Sequence, residues 1–130
     1  MAHLLAPSKK YFISSIIWAL IIAFLCLESS AGLPKVKVFG IDKIVHCGFH
    51  FVLTGLLFTF FWNNNFIKNN NSFLKKAFLI SLIYGILIEV AQQLFTTTRQ
   101  ADVLDVLANV TGAILAILSI KMFIKQAYFK

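Results

Sequence analysis

Four long apolar stretches, separated by short polar ones, make up most of this 130-residue chain. They run over 11–27, 44–62, 73–95 and 103–124, the first reading YFISSIIWALIIAFLCL. Each is close to the roughly 20 residues that carry a helix across about 30 Å of hydrocarbon. Lipid offers backbone groups no water, so a spanning run must pair its own N–H and C=O groups, which a helix does. Buried strands are shorter than these runs. The pattern predicts an all-α fold: an integral membrane four-helix bundle, one transmembrane domain over 1–130.

The first run has a second reading. Lys9 and Lys10 precede it and Ser29-Ser30-Ala31 follows it, the layout of a cleavable signal peptide. Its apolar length exceeds the 7–15 or so residues of a signal core, so a retained span is expected. Leu25 before Cys26 is too large for a lipoprotein signal.

Composition supports a membrane class. The chain is 59% hydrophobic and 13% charged, where soluble domains carry about 25% charged residues. The net charge is +7, but the basic residues lie between and beyond the apolar runs and form no helix face. Nucleic acid is therefore not expected as a partner; the lysines read instead as topology signals that meet anionic lipid headgroups. Lys9, Lys10, Lys68, Lys75, Lys76, Lys121, Lys125 and Lys130 fall on one side, against Lys35, Lys37, Lys43 and Arg99 on the other. The richer side should be cytoplasmic, with both termini inside. The WNNNFIKNNNS stretch is then a polar cytoplasmic connector. Cys26 and Cys47 have no C-x-x-C spacing and read as small packing residues, with a disulfide left open.

The acidic residues are few and clustered. All five, Glu28, Asp42, Glu89, Asp102 and Asp105, lie in or near the two outward segments. Asp42, His46 and His50 recur at i, i+4 and i+8 on the second helix, with Thr54 extending the stripe. Asp102, Asp105, Asn109 and Gly112 share a face of the fourth, and Glu89, Gln92 and Gln93 are neighbours on the third. Glu89 lies about 9 Å below the helix end at Phe95, Asn109 about 10 Å below Asp102, and His50 about 12 Å below Asp42. Matched depth on three helices predicts an interior polar pocket open to the outer face, because an intramembrane ionisable group costs about 2.5 kcal/mol or more unless paired or wet.

These residues carry a family resemblance. Asp42, Lys43 and His46 form D-K-x-x-H. Glu89 and Gln92 form E-x-x-Q, followed by Arg99, Asp102, Asp105, Asn109 and Gly112 as R-x-x-D-x-x-D-x-x-x-N-x-x-G. The ordered set resembles the VanZ-like membrane family from the first helix to the fourth. His50 departs from it, standing where the family usually has an aromatic residue. The resemblance implies a cell-envelope protein of the bacterial plasma (inner) membrane, associated by family with glycopeptide (teicoplanin-type) antibiotic resistance. It implies no agreed biochemical activity.

The residues themselves admit two roles each. His46 is a candidate acid/base or an interhelical hydrogen-bonding group. Glu89 and Asp105 join it as candidate catalytic carboxylates. Asp42 orients His46 or caps its helix, and Asp102 and Asp105 equally suit a helix start. Arg99 suits an anionic group, with Lys43, Asp42, Asp102, Gln92 and Asn109 as further substrate-binding candidates. The carboxylates and two histidines could ligate a divalent ion, but no H-E-x-x-H or comparable spacing is present, so no metal or other cofactor is expected, and the sequence alone leaves an ion in the pocket open. Gly85 and the Ala108, Gly112, Ala116 series read as close helix packing, and Trp18 and Trp62 as interfacial residues.

Two functions fit this set. One is an enzyme acting on a lipid-linked or phosphorylated envelope substrate. The other is a non-catalytic binder or shield of a lipid headgroup, cell-wall precursor or antibiotic. The sequence alone does not decide between enzyme and binder, and does not give the oligomeric state. A transporter ranks below both, since the cytoplasmic half of the bundle carries almost no polar residues. Membrane lipids are the expected partners in every case.

Overall fold

The computed structural model describes residues 7–28, 40–64, 69–97 and 100–128. They form four helices: α1 (Pro7–Leu27), α2 (Ile41–Asn64), α3 (Asn70–Phe95) and α4 (Val103–Tyr128). All four are long and apolar enough to cross a membrane, with mean hydropathies of 2.1, 1.8, 1.8 and 2.1. Their outer faces carry exposed Phe24, Ile44, Leu87 and Phe123. Water would penalise so continuous an apolar surface, whereas lipid accepts it. The chain is a multi-pass membrane protein.

The helices outrun the apolar stretches. α1 begins at Pro7 rather than Tyr11, α2 extends to Ile41 and Asn64, α3 starts at Asn70, and α4 continues to Tyr128. Most of the added residues are polar or charged, and they remain helical because the backbone still hydrogen-bonds within the helix beyond the hydrocarbon. Proline suits the first helical position, where its missing N–H is not needed. Asn69 caps α3 by accepting the Ser72 N–H at 3.0 Å. Gly40, at φ +85°, takes the left-handed turn into α2.

Contacts set the packing. α1 runs antiparallel to α2, as shown by Trp18 donating to the Phe49 carbonyl at 3.0 Å and Phe12 meeting Phe60. α2 runs parallel to α4. α2 and α3 each touch the other three helices, while α1 and α4 do not touch. The cross-section is therefore a diamond with α2 and α3 on its short diagonal. The closest approach is α2 against α4 at Gly112, where an added Cβ would lie 2.0 Å from the Cys47 carbonyl oxygen. Only glycine allows that contact, in agreement with the small-residue series on α4.

α1 is an integral part of the bundle. Ile22 and Cys26 are buried with Leu53 and Ile88, and Tyr84 donates its hydroxyl hydrogen to the Ala19 carbonyl. Trp18 lies at the middle of α1, not at an interface, because its indole N–H is used by α2. Cys26 and Cys47 are not joined in a disulfide. The segment Ser29-Ser30-Ala31 and the residues Lys35, Lys37, Lys68 and Lys130 lie outside the described residues.

The two ends of the bundle differ. Where α1 and α3 stop and α2 and α4 start, the acidic residues gather; this is the acidic end. At the opposite end, Phe58, Phe73, Leu74 and Ala77 form an apolar cluster beneath a rim of lysines; this is the basic end.

Candidate functional site at the acidic end

The acidic end is assembled by the first turns of α2 and α4 and the last turns of α3. α2 places Asp42, Lys43 and His46 within its first two turns, so Lys43 and His46 diverge around the helix towards α4 and α3. The Lys43 ammonium donates to Asp102 Oδ2 at 2.9 Å and to Asp105 Oδ1 at 2.6 Å. Asp102 also caps α4, its Oδ1 accepting the Leu104 N–H at 2.8 Å. Asp102 lies just before α4, and the Lys43 ammonium, with the Leu104 N–H second, holds its carboxyl below the usual carboxylate range.

His46 sits one turn deeper and is 2% exposed. Its Nδ1 lies 3.2 Å from Asn109 Oδ1 and 3.7 Å from Glu89 Oε1. Its Nε2 lies 3.9 Å from Asp42 Oδ1. The imidazole thus has a carboxylate near each ring nitrogen, an arrangement that can hold a proton or pass it from one side to the other. Glu89, 3% exposed, uses Oε2 to accept the Asp102 N–H at 3.2 Å. Its Oε1 is buried and accepts no hydrogen bond, and Asn109 Nδ2 donates none.

A third layer lies below. His50 Nδ1 is 2.8 Å from Ser81 Oγ, and both residues are buried. Gly85 closes this floor: a Cβ there would lie 2.9 Å from Asn109 Nδ2 and 3.0 Å from His50 Cε1. Thr54 is fully buried beside this layer on the same α2 stripe, its hydroxyl unpaired.

The sequence pattern and the structure agree in part. Asp42, Lys43, His46, Glu89, Asp102, Asp105 and Asn109 are brought together. Gln92 is not directed at this group; its amide donates to the Cys26 carbonyl at 2.9 Å and ties α3 to α1. Gln93 accepts the Ala101 N–H at 3.1 Å. Arg99 and Thr98 lie outside the described residues. Ser81 was not anticipated, although Ser81, Gly85 and Glu89 recur every fourth residue and mark the inner stripe of α3. Among the described residues, Asp42, His46 and Asp105 are the group able to hold a divalent ion, each offering a ligand atom within 4.8 Å of the others. The Lys43 ammonium already supplies positive charge to Asp105.

The D-K-x-x-H residues of α2, the glutamate of α3 and the D-x-x-D-x-x-x-N residues of α4 are thus one spatial cluster. The family model described as VanZ/LLP1 matches residues 8–124. The chain belongs to the VanZ family. No curated protein and no solved structure matches it. The VanZ match spans the described residues of all four helices apart from the ends of α1 and α4.

Proposed function

We propose that this VanZ-family protein works in the bacterial plasma membrane with both termini cytoplasmic. In this reading the acidic end forms an outward-facing polar pocket that takes a lipid-linked or phosphorylated envelope substrate and acts on it. The observation that carries it is His46: a buried imidazole between Glu89 and Asp42, within reach of an Asn109 amide. Such a group is costly to keep in a membrane helix for packing alone. His46 would move the proton, with Glu89 and Asp105 as its acidic partners. Arg99 would hold the anionic oxygen of the substrate, since its planar fork matches phosphate or carboxylate. The family's association with teicoplanin-type resistance supports an outcome in the envelope.

A second reading has one observation in its favour. Lys43, the nearest strong cation among the described residues, is committed to two aspartates, and no serine hydroxyl or cysteine thiol is hydrogen-bonded to His46 among the described residues. The same residues would then hold a headgroup, precursor or antibiotic without turnover.

A drug-susceptibility series on expressed, membrane-inserted protein separates the two. Under the enzyme reading, His46→Gln abolishes resistance while the protein still folds, because glutamine keeps a hydrogen bond but does not titrate near neutral pH. Arg99→Lys is impaired as well. Under the binder reading, Arg99→Lys weakens the effect and His46→Gln is nearly silent. Orientation has its own test: a cysteine at Asn69 should react only with a membrane-permeant thiol reagent, and labelling by an impermeant one in intact cells or spheroplasts would remove the outward-facing site.

A further inference from the structure

At the basic end, a groove of about 470 Å³ runs between α3 and α4. Its walls are apolar along Leu74, Phe78, Ile114 and Ile117, and Lys75 and Lys121 stand at its rim, one from each helix. Neither lysine forms an ion pair among the described residues, whose salt bridges all lie at the acidic end. The chain's acidic side chains are all at that other end, so among the described residues no carboxylate side chain is within reach of either lysine. The adjacent Lys76 is engaged differently, its ammonium 5.9 Å from the centroid of the Phe61 ring. Two unneutralised ammonium groups above an apolar furrow are complementary to an amphiphile with an anionic head and a hydrocarbon tail.

We propose that this groove binds one anionic phospholipid of the surrounding leaflet. The phosphate sits between Lys75 and Lys121 with the Asn71 amide at the same rim, and an acyl chain follows Phe78 and Ile117 towards the membrane centre. Free phosphate does not fit the observations as well, because most of the groove is hydrocarbon-lined and would gain nothing from it. The site is independent of the chemistry proposed for the acidic end and of which side of the membrane the basic end faces.

Native mass spectrometry of the full chain in a non-ionic detergent tests this. With phosphatidylglycerol and phosphatidylcholine supplied together, the protein should retain one phosphatidylglycerol with at least about tenfold preference. The Lys75→Gln/Lys121→Gln double variant should lower that occupancy about fivefold or more. A Lys9→Gln/Lys10→Gln variant, which removes the same charge elsewhere at the basic end, should leave it within about twofold. Ile117→Trp, which fills the groove and keeps both lysines, should also lower occupancy. Equal losses in the two lysine pairs would overturn the site in favour of general attraction to the basic end. Displacement of the lipid by millimolar inorganic phosphate, or an unaffected Ile117→Trp variant, would overturn the acyl-chain half of the proposal. Circular dichroism confirms that each variant keeps its helix content, so a loss reports binding and not unfolding.

Discussion

At the acidic end, α2, α3 and α4 meet through Lys43, His46, Glu89, Asp105 and Asn109; at the basic end the same helices meet through Phe58, Phe73, Leu74 and Ala77. The two ends have the same lipid around them. Burying an apolar side chain against another helix gains little over leaving it in lipid, so the basic end is held by close packing and ring contacts such as Phe61 on Phe73. That is sufficient to hold three helices together. The carboxylates and imidazole of the acidic end are thus more than cohesion requires, which supports the function proposed for them.

The largest effect should come from the tight approach of α2 and α4 at Gly112. Gly112→Ala forces a methyl group to within 2.0 Å of the Cys47 carbonyl oxygen, so α2 and α4 must separate. Overpacking of this kind should cost about 3 kcal/mol or more, read as a lowered Tm in detergent. Gly55→Ala meets nothing within 4 Å and should be neutral or stabilising by up to about 1 kcal/mol. Equal losses at the two glycines would show that the close approach is not what glycine serves at 112.

The next pair sets one end against the other. Phe73→Ala should cost about 2 kcal/mol, less than in a soluble core because lipid removes most of the transfer term, and under the proposed function the remaining protein should keep its effect in the drug-susceptibility series. Glu89→Gln should do the reverse. The amide oxygen still accepts the Asp102 N–H, so stability should change by less than about 1 kcal/mol, while activity is lost. An active Glu89→Gln protein would make the acidic end structural after all.

The smallest effect concerns the surface of the acidic end. Asp102 has its carboxyl lowered by Lys43 and the Leu104 N–H. A depressed carboxyl contributes stability that is fully present above its unfolded value, near 3.8, and that is lost as pH falls through the lower folded value. Acid titration of Tm should therefore show a small decline below about pH 4 that Asp102→Asn removes. A decline unchanged in that variant would assign it to other carboxylates.

The fold was largely legible because lipid imposes a strong rule: each apolar run long enough to span is a helix. Helix ends were less legible, since Lys9, Asp42 and Lys125 leave the hydrophobic window but not the helix. The partner of each face was not legible either. Periodicity showed that Gln92 and Glu89 share a side of α3, but only the packing shows that Gln92 reaches back to α1 while Glu89 faces His46. Trp18 was misplaced for the same reason, because an aromatic residue in one span does not reveal a carbonyl acceptor in the next. The cluster was readable from depth only in part: the arithmetic matched Glu89 and Asn109 with His50, whereas the packing sets His46 beside them and pairs His50 with Ser81 one layer below. Ser81 was passed over because serine is unremarkable in a membrane helix until its spacing from Gly85 and Glu89 is considered.

The parallel seating of α4 against α2 also sets an order of assembly. α2 is synthesised with Asp42, Lys43 and His46 in its first two turns, and α4, which leaves the ribosome after it, brings Asp105 and Asn109 to Lys43 and His46. Until then α2 holds an ammonium with no carboxylate from α4 and presents to lipid the backbone strip at Cys47 that Gly112 later covers. A chain that stops before α4 is left with those groups uncovered, which distinguishes an unfinished copy from a finished one for any membrane protease that surveys newly inserted helices.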